Sequence, residues 1–132
     1  MVGETDLDTL LRSLSPPLND GRYVYAQVET GVPAGADPIV MVREAEGLTL
    51  VLAQQQADDL DLAYDFVAAW ITLQVHSALD AIGLTAAVSR VLTDAGISAN
   101  VVAAYTHDHV FVPHDRASDA MGALATPATT GR

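Results

Sequence analysis

Three stretches of this 132-residue chain combine residue types and spacing that could act on a ligand. His107-Asp108-His109, with His114 five residues beyond His109, brings imidazole and carboxylate groups together, and both are good metal ligands. In an extended segment, however, His107 and His109 share a face while Asp108 points away. A stable site wants three or four convergent ligands, so we read this stretch as a turn and the start of a strand. Asp58-Asp59-Leu60-Asp61 is a carboxylate cluster that could hold a hard cation, and a solvated acidic helix face is the reading we adopt. Gly83-Leu84-Thr85-Ala86 opens a periodic apolar segment, so its backbone amides would form the free N-terminus of a helix. Such an end carries partial positive charge and suits a carboxylate; the competing reading is a plain turn with Thr85 as a cap.

Other chemistries lack their residues. No cysteine occurs, which removes thiol catalysis, disulfides and Cys-bound zinc. The sequence has no G-x-S-x-G elbow, no G-x-G-x-x-G and no Walker pattern. His76 follows an apolar run and reads as a buried or edge histidine. The formal net charge is −11, and all six basic residues are scattered arginines. Nucleic acid and anionic membrane surfaces both call for clustered positive charge, so neither is an expected partner. The lysine-free, acidic composition fits either a coding bias or a surface adapted to salt. The longest apolar stretch, Phe66–Val75, is broken by Thr72 and Gln74. It falls short of the roughly 20 residues a bilayer span takes. With no N-terminal segment of signal-peptide type, a soluble cytoplasmic protein without a cofactor is the expectation.

The elements that must position these residues follow from periodicity. Leu84, Val88, Val91, Leu92 and Ala95 recur at helical spacing, and Gly96 stands where a left-handed C-cap needs a residue without Cβ. Ile97 opens a strand through Val101 and Val102 to Tyr105; Thr106–Asp108 is a turn, and Val110–Val112 returns as a second strand. A final helix follows Pro113, with Asp115 as its N-cap and Ala117, Ala120, Met121 and Leu124 on its apolar side. Upstream, Thr5–Leu14 reads as an amphipathic helix stopped by Pro16-Pro17, and Asn19-Asp20-Gly21 as a turn. Arg22–Glu29 is a strand with Val24, Ala26 and Val28 on one face. Ile39–Arg43 and Leu48–Leu52 are strands about a turn at Glu44–Gly47, and Gln54–Leu62 is a short helix. The near-continuous apolar run 65–78 predicts a central strand buried on both faces.

Thr49–Asp59 and His109–Asp119 align at an offset of 60, each a strand running into a helix. With the order of elements, this makes two copies of helix, strand, strand, helix joined by the strand 65–78. Each copy is close to the ferredoxin-like split βαβ unit. Each lacks one strand, so strands would be exchanged between the halves or supplied by a second chain, leaving no bare sheet edge.

At this point the residues resemble a known family. Gly3–Leu11, Tyr64–Leu73, Gly83–Leu92, Ala95–Ser98, Asn100–Ala103 and His107–Pro113 are similar to blocks of the tandem ACT-domain proteins, and more distantly to the paired regulatory domains of aspartate kinases. The similarity runs from Val2 to about Leu124. It implies an α+β fold of two ferredoxin-like ACT halves side by side, with antiparallel sheets and helices on one face. The halves would be 1–63 and 64–126, with 127–132 a flexible tail. It also implies amino acids as ligands, a homodimer, and no catalysis of its own. The ligand-binding residues it implies are Gly83, Leu84, Thr85 and Ala86 with Asn100 and Val101, Asn100 meeting the ligand's amino group. A structural dimerisation protein without a small-molecule ligand is the alternative.

Overall fold

The computed structural model of the chain describes residues 17–73 and 83–125. These fall into two compact units, one of Asp20–Ala69 and one of residues 17–19, 70–73 and 83–125. The helix expected at Thr5–Leu14, His76 and the tail lie outside the described residues.

In the first unit, β1 (Leu18–Val28) pairs antiparallel with β3 (Gly47–Ala53), which pairs antiparallel with β2 (Val40–Glu44). The order there is β2-β3-β1, with the start of β4 (Val67–Leu73) beside β1. Alternation along β1 puts Val24 and Ala26 inward, opposite Leu52 and Leu50 in the register. These four and Ala57 of helix α1 (Gln54–Asp59) form the core, with Leu48, Leu62 and Tyr64 packed around it. The β2–β3 turn is tight because Glu44 pairs directly with Gly47, leaving only Ala45 and Glu46 between them. Gly47 has φ +152° and lies against the Val28 carbonyl, so the turn needs a residue without Cβ.

The second unit has strand order β4-β6-β5, with β5 (Asn100–Ala103) antiparallel to β6 (Asp108–Pro113). Helices α2 (Leu84–Asp94) and α3 (Ala117–Ala125) pack on each other. Val88, Leu92, Ala120 and Leu124 are buried, as are Val110, Phe111 and Val112 in unbroken succession. That succession shows β6 covered on both faces. The same holds along β4, where Ala68, Ala69, Ile71, Thr72 and Leu73 are buried; positions 74–78 of the predicted run lie outside the described residues. The fold is α+β with antiparallel pairing and helices, in two ferredoxin-like halves.

The C-terminus of α2 is a Schellman motif. The Ile97 amide donates to the Leu92 carbonyl at 2.9 Å and the Gly96 amide to the Thr93 carbonyl at 2.9 Å, with Gly96 at φ +76°. Buried Ile97 and Leu92 supply the apolar contact that accompanies this cap.

Two local expectations are corrected. Asn19-Asp20-Gly21 belongs to β1 and is not a turn. The strand start is held in the sheet because the Thr72 amide donates to the Pro17 carbonyl and the Asn19 side chain donates to the Trp70 carbonyl, and Gly21 carries the strand on at φ +101°. Asp115 is not an N-cap: it lies inside a 3₁₀ turn, His114–Arg116, that precedes α3 and follows Pro113.

Candidate functional site

Gly83 is the N-cap residue of α2 and takes φ +106°, ψ −29°, a left-handed conformation open to glycine at little cost. The first helical bond runs from the Ala87 amide to the Gly83 carbonyl at 2.9 Å. The amides of Leu84, Thr85 and Ala86 therefore precede the helical ladder. Among the described residues no side chain caps this end, Thr85 included, and no acidic residue occupies the first turn. Thr85 and Ala86 are exposed. Among the described residues this positive helix end is uncapped, and its amides could donate to an anion's oxygens.

Asn100 and Val101 start β5, facing Phe111 and Val110 across the β5–β6 register. Asn100 is exposed, Val101 is half-buried, and the Asn100 side chain makes no hydrogen bond among the described residues. The structure thus gathers Gly83–Ala86 into one turn and Asn100–Val101 onto one strand. Between them runs α2, whose 11 residues span about 16 Å.

A polar cluster invisible to local reading joins β1, β4 and β6. The Trp70 indole Nε1–H donates to His109 Nδ1 at 3.0 Å, and the Thr72 hydroxyl lies 3.4 Å from the same nitrogen. The Asn19 side-chain amide donates to Thr72 Oγ1 at 2.9 Å and to the Trp70 carbonyl at 3.1 Å. Trp70 also stacks on Phe111, with ring centroids 6.4 Å apart and 16° between planes. Burial pushes His109 below its ordinary 6.5, His107 adds to that, and Asp108 opposes it. The only sequence-level signal for the cluster is period-2 spacing, Trp70 with Thr72 and His109 with Phe111.

In the first unit three carboxylates, Glu44, Asp58 and Asp59, are engaged by protein donors. Asp58 accepts from the Tyr64 hydroxyl at 2.8 Å, Tyr64 accepts from Gln54 at 2.9 Å, and Asp59 accepts from Gln55 at 2.9 Å. Glu44 accepts from Thr49 and from Gln27. Among the described residues no group of three or more His, Cys, Asp or Glu side chains is placed to hold a metal. Two open cavities occur there, about 370 Å³ beside the β2–β3 turn near Arg43 and about 330 Å³ between Arg22 and Asp58. Neither is lined by Gly83–Ala86, Asn100 or Val101.

Comparison with known proteins gives these features a family. One ACT domain model matches residues 2–69 and a second matches residues 66–126. A Vibrio cholerae protein of unknown function, named as a possible transport protein, is 43% identical over 95% of this chain and 98% of its own, with a TM-score of 0.85. An Agrobacterium tumefaciens protein is 23% identical, with a TM-score of 0.70 over 86% of this chain and 87% of its own. The ligand-free regulatory subunit of aspartate kinase from Thermus thermophilus has the same fold, with a TM-score of 0.64, 9% identity, and coverage of 87% and 97%. No curated protein matches the chain in sequence. Two matched domains in tandem, on two ferredoxin-like halves, place the chain in the ACT-domain family.

Proposed function

We propose that this protein is an amino-acid-binding regulatory module with no catalytic activity of its own. The observation that carries the reading is the N-terminus of α2 within the second ACT domain, uncapped among the described residues and with Thr85 and Ala86 exposed. A ligand carboxylate would accept from the amides of Leu84, Thr85 and Ala86. Asn100 and Val101 start β5 beyond the far end of α2, so in the dimer they would meet that ligand from the second copy of the chain, the Asn100 side-chain oxygen accepting from its ammonium group. Charge-assisted hydrogen bonds of this kind contribute about 1.5–3 kcal/mol each where water is excluded. Regulation then requires only that the ligand bind one arrangement of the protein better than another, since it shifts the equilibrium by its differential affinity. The working form is a cytoplasmic homodimer, with neither nucleic acid nor membrane as partner, in keeping with the −11 charge. Calorimetric titration with the twenty amino acids at fixed salt tests the proposal. Saturable heat with one or a few supports it, and no heat together with no thermal shift from any of them sinks it.

A structural dimerisation role is the second reading, favoured by β2. This strand ends the strand order and exposes 57% of Met41 and 48% of Val42 on successive positions. Sedimentation of Val42→Pro separates the two. Loss of the dimer with ligand binding intact favours assembly through β2 as a separate function, and an unchanged dimer removes it.

A further inference from the structure

We infer that the Trp70–His109 hydrogen bond is a proton-sensitive latch between β4 and β6, closed when His109 is neutral and opened when its Nδ1 takes a proton. The argument starts from the donor inventory. An indole N–H can only donate, so the ring nitrogen 3.0 Å from Trp70 Nε1 must be an unprotonated acceptor. His109 is therefore held as the neutral tautomer with hydrogen on Nε2. A second proton has only Nδ1 to go to, and it turns that acceptor into a donor facing another donor. The Trp70 bond is lost at that step. Thr72 is a weaker substitute: its hydroxyl oxygen accepts from Asn19 at 2.9 Å and keeps a second lone pair, but it sits 3.4 Å from Nδ1, at the long limit of a hydrogen bond.

Cation–π attraction does not rescue the protonated form. The rings are 5.7 Å apart and tilted by 46°, and the indole presents its N–H edge, the positive part of its quadrupole, to the imidazole. The charged surroundings are sparse. The strands on either side of β6 bring no charged residue, over Val67–Leu73 and Asn100–Ala103. On the His109 segment itself, His107 disfavours the added charge and Asp108 favours it. Helix α3, packed on β6, offers Asp119, which is held by Arg116 at 2.9 Å; α2, packed on α3, carries exposed Arg90 and Asp94. Opening releases Trp70 from one of its two aromatic neighbours on β6, leaving the Phe111 stack. Because Val102 faces His109 and Val101 faces Val110, the change falls in the same hairpin that carries Asn100. The latch stands whether or not that hairpin meets an amino acid.

Trp70 is the chain's single tryptophan, so its fluorescence reads the latch directly. The full-length protein is titrated from pH 8 downward alongside His109→Gln and His107→Gln. The expected result is a reversible inflection in tryptophan emission with its midpoint below 6.5 in the wild type, absent from His109→Gln and kept in His107→Gln. An inflection that survives His109→Gln, a midpoint at or above 6.5, or no inflection overturns the proposal. Should His109→Gln fail to fold, nitrogen NMR of the wild-type His109 ring decides. Hydrogen on Nε2 at pH 8 upholds the latch, and hydrogen on Nδ1 refutes it.

Discussion

Replacing Gly47 with alanine places a Cβ 2.6 Å from the Val28 carbonyl oxygen and 3.2 Å from Gln27 Cγ, at φ +152°. The first contact is with backbone of β1, which is fixed by its own register to β3, where Val28 faces Leu48. Relief therefore means moving a strand. Backbone in a glycine-only region costs about 1–3 kcal/mol, and forcing an extra carbon into packed surroundings costs another 1–3 or so. Against this, alanine narrows the unfolded ensemble by about 0.4–1 kcal/mol. The expected loss is about 2–4 kcal/mol on these figures. Gly96→Ala is the internal comparison: φ is +76° but nothing lies within 4 Å, so only the left-handed backbone term remains. That term is about 1–2 kcal/mol, and the net loss is about 0.5–1 kcal/mol after the same unfolded-state correction. Gly122, inside α3 with open space around it, reverses the sign, and Gly122→Ala gains about 0.5–1 kcal/mol. Urea unfolding followed by far-ultraviolet circular dichroism orders the three, with Gly122→Ala above wild type, Gly96→Ala slightly below and Gly47→Ala far below. Equal midpoints for the Gly47 and Gly96 variants, or Gly96→Ala as the weaker protein, would refute the reasoning from the Val28 contact.

Further outcomes follow from single contacts. Arg116 pairs with Asp119 and donates to the Ala95 and Gly96 carbonyls at 3.3 Å each, a cation at the C-terminus of α2. Because its side chain is more than a third exposed, Arg116→Gln loses only about 0.5–1 kcal/mol in the same urea assay, and less at high salt. Leu92→Ala removes a fully buried side chain that is also the apolar partner of the α2 cap; a loss of about 2–5 kcal/mol is expected. His109 is a base whose native affinity for a proton is lowered, so the unfolded chain takes up the proton first as pH falls. Its contribution to stability is whole above the ordinary 6.5, declines as pH drops towards the folded value and is flat below that. Urea midpoints of wild type and His109→Gln should converge over that window.

Much of the fold is legible in residue types. The Leu92, Gly96 and Ile97 arrangement announces a helix end because the cap is local, and its bonds close within six residues. Alternation along Val24, Ala26 and Val28 declares an inward face for the same reason, and Glu44 to Gly47 is short enough to demand a hairpin. What escapes is set by distant partners. Asn19, Asp20 and Gly21 are turn-formers by propensity, yet their strand is fixed by Trp70 and Thr72 about fifty residues away. Asp115 has the right chemistry for a cap, but Pro113 leads into a 3₁₀ turn that shifts the helix start to Ala117. His109 looks like half of a histidine pair, and only the sheet reveals that its ring nitrogen is a tryptophan's acceptor. At the candidate site, the glycine at the start of α2 is readable as a helix entry, whereas its left-handed backbone, and the lack of a capping side chain among the described residues, are properties of the fold.

The amide resonances of Leu84, Thr85 and Ala86 offer the most direct test of the amino-acid reading. In a nitrogen–proton correlation spectrum recorded while each of the twenty amino acids is titrated at fixed pH and salt, these three amides should move together and saturably with at least one ligand, as they donate to its carboxylate. An amino acid that binds while these amides stay still, or a full panel that moves none of them, would contradict the account.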